Sequence, residues 1–282
     1  MKIIFDPTQY KVTTKANWNI VAPEYHFNWA EKQAGPFKST KELVRMADIK
    51  PDDKVLDIAC GTGVVSKEIS QYLGKKGQLV GIDISRTALG ISRKTIVLPN
   101  SNFFEMDAEN IGFNFRFDKV TCQYGIMFFP NVGKVLNSIQ KILVPQGKIV
   151  VAVHGLPENV PYFSIIMDSI LKQIPDIRPE GTPTVHRFGN PENLKLELSQ
   201  AGFHEISIDR HNFIYEPGTF EEYWTDYMHS TANSIRTKIE GYGSDIMNKI
   251  KNESRERAAR YELDGNLILP WTVLIASGLN KE

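Results

Sequence analysis

A short glycine-containing segment constrains this chain more than any other part of it. Residues 57–63 read Asp-Ile-Ala-Cys-Gly-Thr-Gly, after the strand-like run 54–56 and before a helical pattern over 64–73. The segment therefore predicts a strand, a tight turn and the start of a helix. Gly61 and Gly63 lack a Cβ, so the turn can adopt a positive φ and a ligand can approach the backbone. Free N–H groups at the helix start face the same point.

A second feature, Asp83, follows twenty residues after Gly63 and ends an apolar run. A carboxylate in that place can accept hydrogen bonds from ribose hydroxyls, as in dinucleotide-binding folds. The two features together predict a nucleoside-containing cofactor. The dinucleotide fingerprint G-x-G-x-x-G is incomplete, because Ser66 takes the third glycine position. Asp57 would also repel a pyrophosphate, whereas it would attract the α-ammonium of an amino acid.

Five segments resemble, in order and spacing, the motifs of the class I methyltransferases that use S-adenosyl-L-methionine (SAM). They cover roughly residues 50–155 and lie at 55–63, 80–85, 106–109, 117–125 and 143–151. The most similar subgroup is the ubiquinone/menaquinone-biosynthesis type, which acts on small molecules. The resemblance implies an α/β fold, with a doubly wound, seven-stranded, mostly parallel Rossmann-like sheet and helical lid insertions.

The same resemblance implies a set of cofactor-binding residues. The methionine end of SAM would lie against Asp57, Ala59, Gly61, Thr62 and Gly63. The ribose and adenine would lie against Asp83, Ile84, Asp107, Ala108 and Gln123. In the resembling group the N-terminal segment folds over the cofactor, which favours Tyr25 as a contact beside Trp18 and Trp29. Packing of an N-terminal helix on the domain would explain these aromatic residues equally well.

The alternation of strands and helices predicts a parallel sheet and three regions. Strands are expected near 54–58, 78–83, 101–105, 118–122 and 147–153, and helices near 40–47, 64–73, 85–97 and 132–143. Further on, a helix from Asn190 to Gly202, a strand over 204–215, two helices within 219–261 and a strand over 267–277 are expected. The regions are an N-terminal segment closing the cofactor site (1–48), a cofactor-binding core (49–155), and lid helices with the last strands (156–282).

Two residues are candidates for the chemistry of methyl transfer. Displacement at a sulfonium mainly needs positioning and desolvation, but a hydroxyl, phenol or acidic carbon also needs a base. His154 follows the fifth strand and has a side chain whose ordinary pKa suits a base at neutral pH; it could instead bind a loop carbonyl. Tyr124 could orient a substrate oxygen or pack beside the cofactor. His186 and Arg187 could meet an anionic substrate or remain solvated.

The acceptor is expected to be a small molecule with a flat or lipidic portion. Aromatic residues that could build an apolar pocket, or merely pack the lid on the sheet, occur at Phe128-Phe129-Pro130, Tyr162-Phe163 and Tyr223-Trp224. The 33 basic and 33 acidic side chains balance, which disfavours nucleic acid as a partner. No cysteine–histidine cluster has metal-ligand spacing, so no metal is expected.

Cysteine content, apolar runs and departures from known motifs bear on the localisation and on the competing functions. Two cysteines, no signal-peptide pattern and no apolar run of membrane-spanning length predict a cytoplasmic protein. A SAM-binding regulator without catalysis is an alternative, as is an NAD(P)-dependent oxidoreductase, which Asp57 and the missing third glycine disfavour. An RNA methyltransferase is also possible, although Gln123-Tyr124-Gly125-Ile126 replaces the N-P-P-Y-type motif of amino methylation. The acceptor atom and the oligomeric state stay open.

Overall fold

A mixed sheet runs through the middle of the chain, of which the computed structural model describes residues 4–281. Within these residues the sheet has eight strands in the order β3-β2-β1-β4-β5-β8-β6, and β7 pairs with β8. The strands are β1 (Lys54–Ile58), β2 (Gln78–Asp83), β3 (Ser101–Glu105), β4 (Phe117–Gln123), β5 (Leu143–His154), β6 (His204–Gly218), β7 (Glu262–Leu263) and β8 (Asn266–Leu279). β1 to β5 pair in parallel, whereas β8 is antiparallel to both β5 and β6.

Ten α-helices surround the sheet within the same residues. They are α1 (Pro7–Tyr25), α2 (Thr40–Ala47), α3 (Val64–Ser70), α4 (Arg86–Thr95), α5 (Val132–Ile142), α6 (Pro161–Gln173), α7 (Pro191–Gln200), α8 (Phe220–His229), α9 (Asn233–Glu240) and α10 (Ser244–Ala258). Val55, Leu56 and Ile58 of β1 are fully buried, as expected for a parallel strand covered on both faces. The predicted fold class is confirmed, and the eighth strand is the two-residue β7.

The structure gives bounds to the N-terminal helix, which was expected only as a helical segment, and it corrects the number of helices in 219–261. No periodicity marks the N-terminal region, yet α1 occupies nineteen residues of it. Asp6 caps α1 by accepting from the N–H groups of Thr8 and Gln9, and Pro7 takes the first turn, so the helix is set by its start rather than by an amphipathic pattern. The region 219–261 contains three helices instead of two, because the chain also breaks between His229 and Asn233.

The topology fixes where a ligand site can form. β1 lies between β2 and β4, although β4 follows β3 along the chain. The strand order therefore reverses beside β1, and open α/β sheets bind ligands outside the carboxyl ends of the strands at such a point. The first four sequence motifs end in the loops that follow β1, β2, β3 and β4, and the fifth lies within β5.

Candidate functional site

A cavity of about 860 Å³ opens at the carboxyl ends of β1 to β5. It collects most of the residues proposed from the sequence. Those that line it are Tyr25, Asp57, Ala59, Gly61, Thr62, Asp83, Ile84, Asp107, Ala108, Gln123, Tyr124 and His154. Gly63 does not line the cavity. A Cβ on Gly63 would lie 2.6 Å from Ile96 Cδ1, so this glycine permits close packing of the turn on α4.

The turn after β1 has the backbone that its glycines predict. Ala59, Gly61 and Gly63 all have positive φ values, of 53°, 54° and 90°. A Cβ placed on Gly61 would meet no protein atom within 4 Å. The space above Gly61 is therefore open, and a ligand can contact the backbone there.

Asp57 lies beneath this turn with almost no exposure to solvent. Ser66 Oγ donates to one carboxylate oxygen at 2.6 Å, and Thr121 Oγ1 donates to the other at 2.9 Å. Burial raises the pKa of Asp57 to about 7, although the two hydroxyl hydrogen bonds oppose the increase. Ser66 thus replaces the third glycine of the dinucleotide fingerprint with a hydrogen-bond donor to Asp57.

Asp83 joins two of the loops around the cavity. Its carboxylate accepts from the Gly61 N–H at 2.9 Å and from the Ser85 N–H at 2.8 Å. Burial raises the pKa of Asp83 despite these backbone donors. One carboxylate at the end of β2 therefore holds the glycine turn of β1 and still borders the cavity.

The N-terminal segment contacts the loops after β1, β2 and β3. Lys11 Nζ donates to Asp107 at 2.8 Å and to Glu109 at 2.6 Å. Asn19 Oδ1 accepts from Ser85 Oγ at 3.0 Å and from the Thr87 N–H at 3.1 Å. The His26 ring lies 3.0 Å from Thr62 Oγ1. The sequence interpretation assigned no role to these three side chains, because an isolated polar residue on a helix carries no local signal of its partner.

Tyr25 and Gln123 stand at the boundary between the N-terminal segment and the sheet. The ring of Tyr25 lies parallel to that of Trp29 and meets the edges of Trp18 and Phe37. Both ends of the Gln123 amide are hydrogen-bonded, since Oε1 accepts from Thr40 Oγ1 and Nε2 donates to Ser39 Oγ. Tyr25 therefore packs against the aromatic residues of the N-terminal segment and also lines the cavity.

The two catalytic candidates lie side by side. The rings of Tyr124 and His154 stack with centroids 4.3 Å apart. The Tyr124 hydroxyl donates to the Pro36 carbonyl and lies 2.8 Å from Ser39 Oγ, so its hydrogen bonds are made within the protein. His154 Nδ1 accepts from the indole N–H of Trp271 at 3.3 Å, and burial holds the pKa of His154 well below its usual value.

Beyond this pair the cavity continues into an apolar region. Phe128, Phe129, Pro130 and Phe163 line it as the sequence suggested, together with Met167, Leu171, Ile177, Val185 and Ile235. Tyr162, Tyr223 and Trp224 do not line it. The Tyr162 hydroxyl donates to Asp226 at 2.6 Å, and the Tyr223 hydroxyl donates to the Tyr162 carbonyl at 2.6 Å. These hydrogen bonds join α6 to α8, and the Tyr162 ring also contacts Trp271 of β8.

The proline-rich loop contributes one histidine to the cavity wall. His186 lines the cavity and is hydrogen-bonded through Nδ1 to the Gly155 carbonyl at 2.7 Å. Arg187 is exposed, and its guanidinium donates to the Phe129 carbonyl. Of the two residues, His186 borders the cavity and Arg187 does not.

Comparison with known proteins identifies the domain built around this cavity. The family described as "Methyltransferase domain" matches residues 49–180. The demethylmenaquinone methyltransferase of Staphylococcus saprophyticus is 27% identical over 202 residues, which are 67% of this chain and 82% of the relative. This chain therefore contains a methyltransferase domain of the class I, SAM-dependent type. The ubiquinone/menaquinone biosynthesis C-methyltransferase of Wigglesworthia glossinidia brevipalpis is 35% identical over 120 residues, or 41% of this chain and 48% of the relative.

Solved structures share the fold of this methyltransferase. Phosphoethanolamine N-methyltransferase 2 of Haemonchus contortus, in complex with phosphomonomethylethanolamine and S-adenosylhomocysteine, superposes with a TM-score of 0.59 at 15% identity. The match covers 99% of this chain and 61% of the other. SAM is the cofactor of this methyltransferase by its family match, whereas a structural likeness at 15% identity carries only the fold.

Residues 4–281 contain neither a membrane-spanning helix nor a metal-binding cluster of side chains. Over residues 4–281, no helix combines the length and the apolar character needed to cross a bilayer. Over the same residues, no group of three or more His, Cys, Asp or Glu side chains is arranged to hold a metal ion.

Proposed function

We propose that the methyltransferase binds SAM over the glycine turn of β1 and transfers its methyl group to a small, partly apolar acceptor in the adjoining part of the cavity. One observation carries the proposal. A single cavity of about 860 Å³ includes both the open backbone at Gly61 and the apolar wall around Phe128 and Phe163. Donor and acceptor can therefore meet without leaving the protein.

The cofactor residues are assigned from the charged groups of SAM and from its hydrogen-bonding groups. The α-ammonium of its methionine part would lie near the carboxyl group of Asp57, beneath the glycine turn. The ribose hydroxyls would hydrogen-bond to Asp83, which keeps unused lone pairs after accepting from Gly61 and Ser85. Adenine would lie between Ile84 and Ala108, with Asp107 and Gln123 at its rim and Tyr25 closing the site.

The acceptor class follows from the second part of the cavity. Its wall is aromatic and aliphatic, from Phe128 and Phe129 on one side to Met167 and Leu171 on α6. A flat ring system or a lipidic chain would bury its apolar surface there. Two of the relatives are named for demethylmenaquinone and for ubiquinone/menaquinone biosynthesis, which makes a reduced quinone one member of the proposed class.

Two measurements test the proposal. Calorimetry should detect binding of S-adenosylhomocysteine (SAH) to the wild type and weaker binding to Asp83→Ala. A panel of naphthols, alkyl-substituted quinols and hydrophilic amines should then be tested with SAM, and turnover should favour the apolar phenols and quinols. Preferred methylation of the hydrophilic amines would contradict the proposed acceptor class, and undiminished SAH binding by Asp83→Ala would contradict the ribose assignment.

A further inference from the structure

His154 and His186 both line the cavity, and a hydrogen bond to the backbone holds His186 close to His154. His186 is bonded through Nδ1 to the carbonyl of Gly155, which is the residue next to His154. Both rings contact Phe163, with centroid distances of 4.8 Å from His154 and 6.0 Å from His186. The two imidazoles therefore border the same apolar region in which the acceptor is proposed to lie.

The hydrogen bond from Trp271 determines what His154 can do. An indole nitrogen can only donate, so Nδ1 of His154 must be the unprotonated nitrogen. A neutral imidazole then carries its proton on Nε2 and can only donate from that atom. Histidines that act as bases have the reverse arrangement, in which Nδ1–H donates to a carboxylate or carbonyl and leaves Nε2 free.

His186 has that reverse arrangement. A carbonyl oxygen can only accept, so Nδ1 of His186 carries the proton and Nε2 has the lone pair. Within the described residues, Nε2 of His186 is buried and has no hydrogen-bond partner. A buried acceptor without a partner is costly, which points to a donor that the chain itself does not supply.

We propose that His186 is the general base of the transfer and that His154, fixed by the positioning residue Trp271, is a neutral hydrogen-bond donor to the acceptor. The inference rests on the proposed function, because it takes the acceptor to be a phenol or quinol bound beside Phe163. The acceptor hydroxyl would give its proton to His186 Nε2, and the oxygen or adjacent carbon would form a bond to the methyl carbon. The S–CH3 bond would break with its electron pair remaining on sulfur, which gives SAH.

The charges around the pair determine the expected pH profile. Burial lowers the pKa of His186, while the Gly155 carbonyl and the carboxylates of Asp168 on α6 and Glu158 oppose the decrease. His154 also interacts electrostatically with His186, and Arg187, the next residue in the chain, directs its guanidinium to the Phe129 carbonyl. The rate should therefore fall on the acid side, below the ordinary histidine pKa, as His186 becomes protonated.

Four variants separate the two histidines. A glutamine amide can occupy the place of Nε2 and hydrogen-bond, but it cannot take a proton. Therefore His186→Gln should lower kcat on the order of 10²–10⁴-fold and abolish the acid limb. His154→Gln keeps a hydrogen-bond donor, so its turnover should stay within about tenfold of the wild type. His154→Phe has no donor, so its turnover should fall further. His229→Gln, at an exposed position on α8, is the matched control. SAH affinity should be the same in all four.

The tautomers can be measured independently of turnover. Nitrogen-15 NMR of the SAH-bound wild type should show a non-protonated Nδ1 on His154 and a non-protonated Nε2 on His186, and Trp271→Phe should remove the preference at His154. Turnover would be followed with 1,4-dihydroxynaphthalene under argon. Opposite tautomers, or His154→Gln inactive beside an active His186→Gln, would overturn the inference while leaving the proposed function intact. A wild type that does not bind SAH would instead overturn the proposed function.

Discussion

Asp57 carries a carboxyl whose ionisation the fold makes difficult. Its pKa in the folded protein, about 7, is raised by burial above the value of an exposed aspartate. A raised carboxyl pKa means that the folded state holds a proton that the unfolded state releases. The free energy of unfolding contributed by this group is therefore present below about pH 4 and is lost as the pH rises through about 7.

A comparison of the wild type with Asp57→Asn tests this pH dependence. Chemical denaturation between about pH 4 and 8 should show a loss of stability in the wild type that is smaller in the variant, which cannot ionise. Thr121→Val removes one hydroxyl donor and raises the pKa of Asp57 further, so the loss of stability should be larger and should extend to higher pH. The same pH dependence in Asp57→Asn as in the wild type would contradict the assignment to Asp57.

Asp83 is predicted to combine ligand binding with loop positioning. Asp83→Ala removes the ribose partner and also the acceptor of the Gly61 and Ser85 N–H groups. SAH affinity should fall by about 1.5–3 kcal/mol, the range for a hydrogen bond to a charged group. Asp52→Ala, at an exposed turn before β1, is the control and should bind SAH like the wild type. Calorimetry measures both.

Residues of the site differ in how far the sequence can predict them. Gly61 and Asp83 were found because each follows a short apolar run within one strand-turn unit, where the local pattern and the function coincide. His26 could not be found, because its partner Thr62 is 36 residues away. The hydrogen bond of Trp271 to His154 spans 117 residues. Such long-range hydrogen bonds can be identified only once tertiary packing has brought the two side chains together.

At the scale of elements, α1 is predicted to control how long the cofactor stays bound. Lys11, half-buried, joins α1 to Asp107 and Glu109 in the loop after β3. Lys11→Met should loosen the contact between α1 and the loop after β3, and SAH should then dissociate several-fold faster. Lys15→Met removes an exposed ion pair with Glu105 on the same helix, and exposed pairs contribute little. Stopped-flow measurement of SAH release should separate the two variants, and equal rates would contradict the role given to α1.

The elements themselves were predictable to different degrees. The parallel strands β1, β2 and β3 were predicted with their observed bounds, because each is a short run ended by turn residues. A helical N-terminal segment was expected, but the bounds of α1 were not predicted, since its residues have no helical period and only the cap at Asp6 marks its start. The break between α8 and α9 was missed because Ser230-Thr231-Ala232 contains neither glycine nor proline.

At the scale of the whole molecule, the aromatic residues of the lid form one cluster with the last strand. The rings of Trp29, Tyr162 and Tyr215 each contact the Trp271 ring, at centroid distances of 5.4 to 6.1 Å. The Trp29 ring also contacts the rings of Tyr162 and Tyr215, at 5.3 and 5.1 Å. These residues come from four distant segments, so their shared cluster could not be derived from local pattern. The cluster couples the N-terminal segment and the lid to the sheet.

This coupling predicts a cooperative response to the cofactor. SAH at about a hundred times its dissociation constant should stabilise the folded state by about 2.7 kcal/mol. For a domain of this size the melting temperature should rise by about 5–10 °C. NADH at the same concentration should produce no shift. A shift with NADH alone would contradict the SAM site.

The fate of the methyl group tests the central claim most directly. The methyltransferase would be incubated with SAM carrying a carbon-13 methyl group and with a total cell extract containing both metabolites and RNA. Mass spectrometry should find the label in small molecules that partition into organic solvent, and Asp83→Ala should reduce that label. Label in RNA or protein, with none in the organic extract, would contradict a small, partly apolar acceptor.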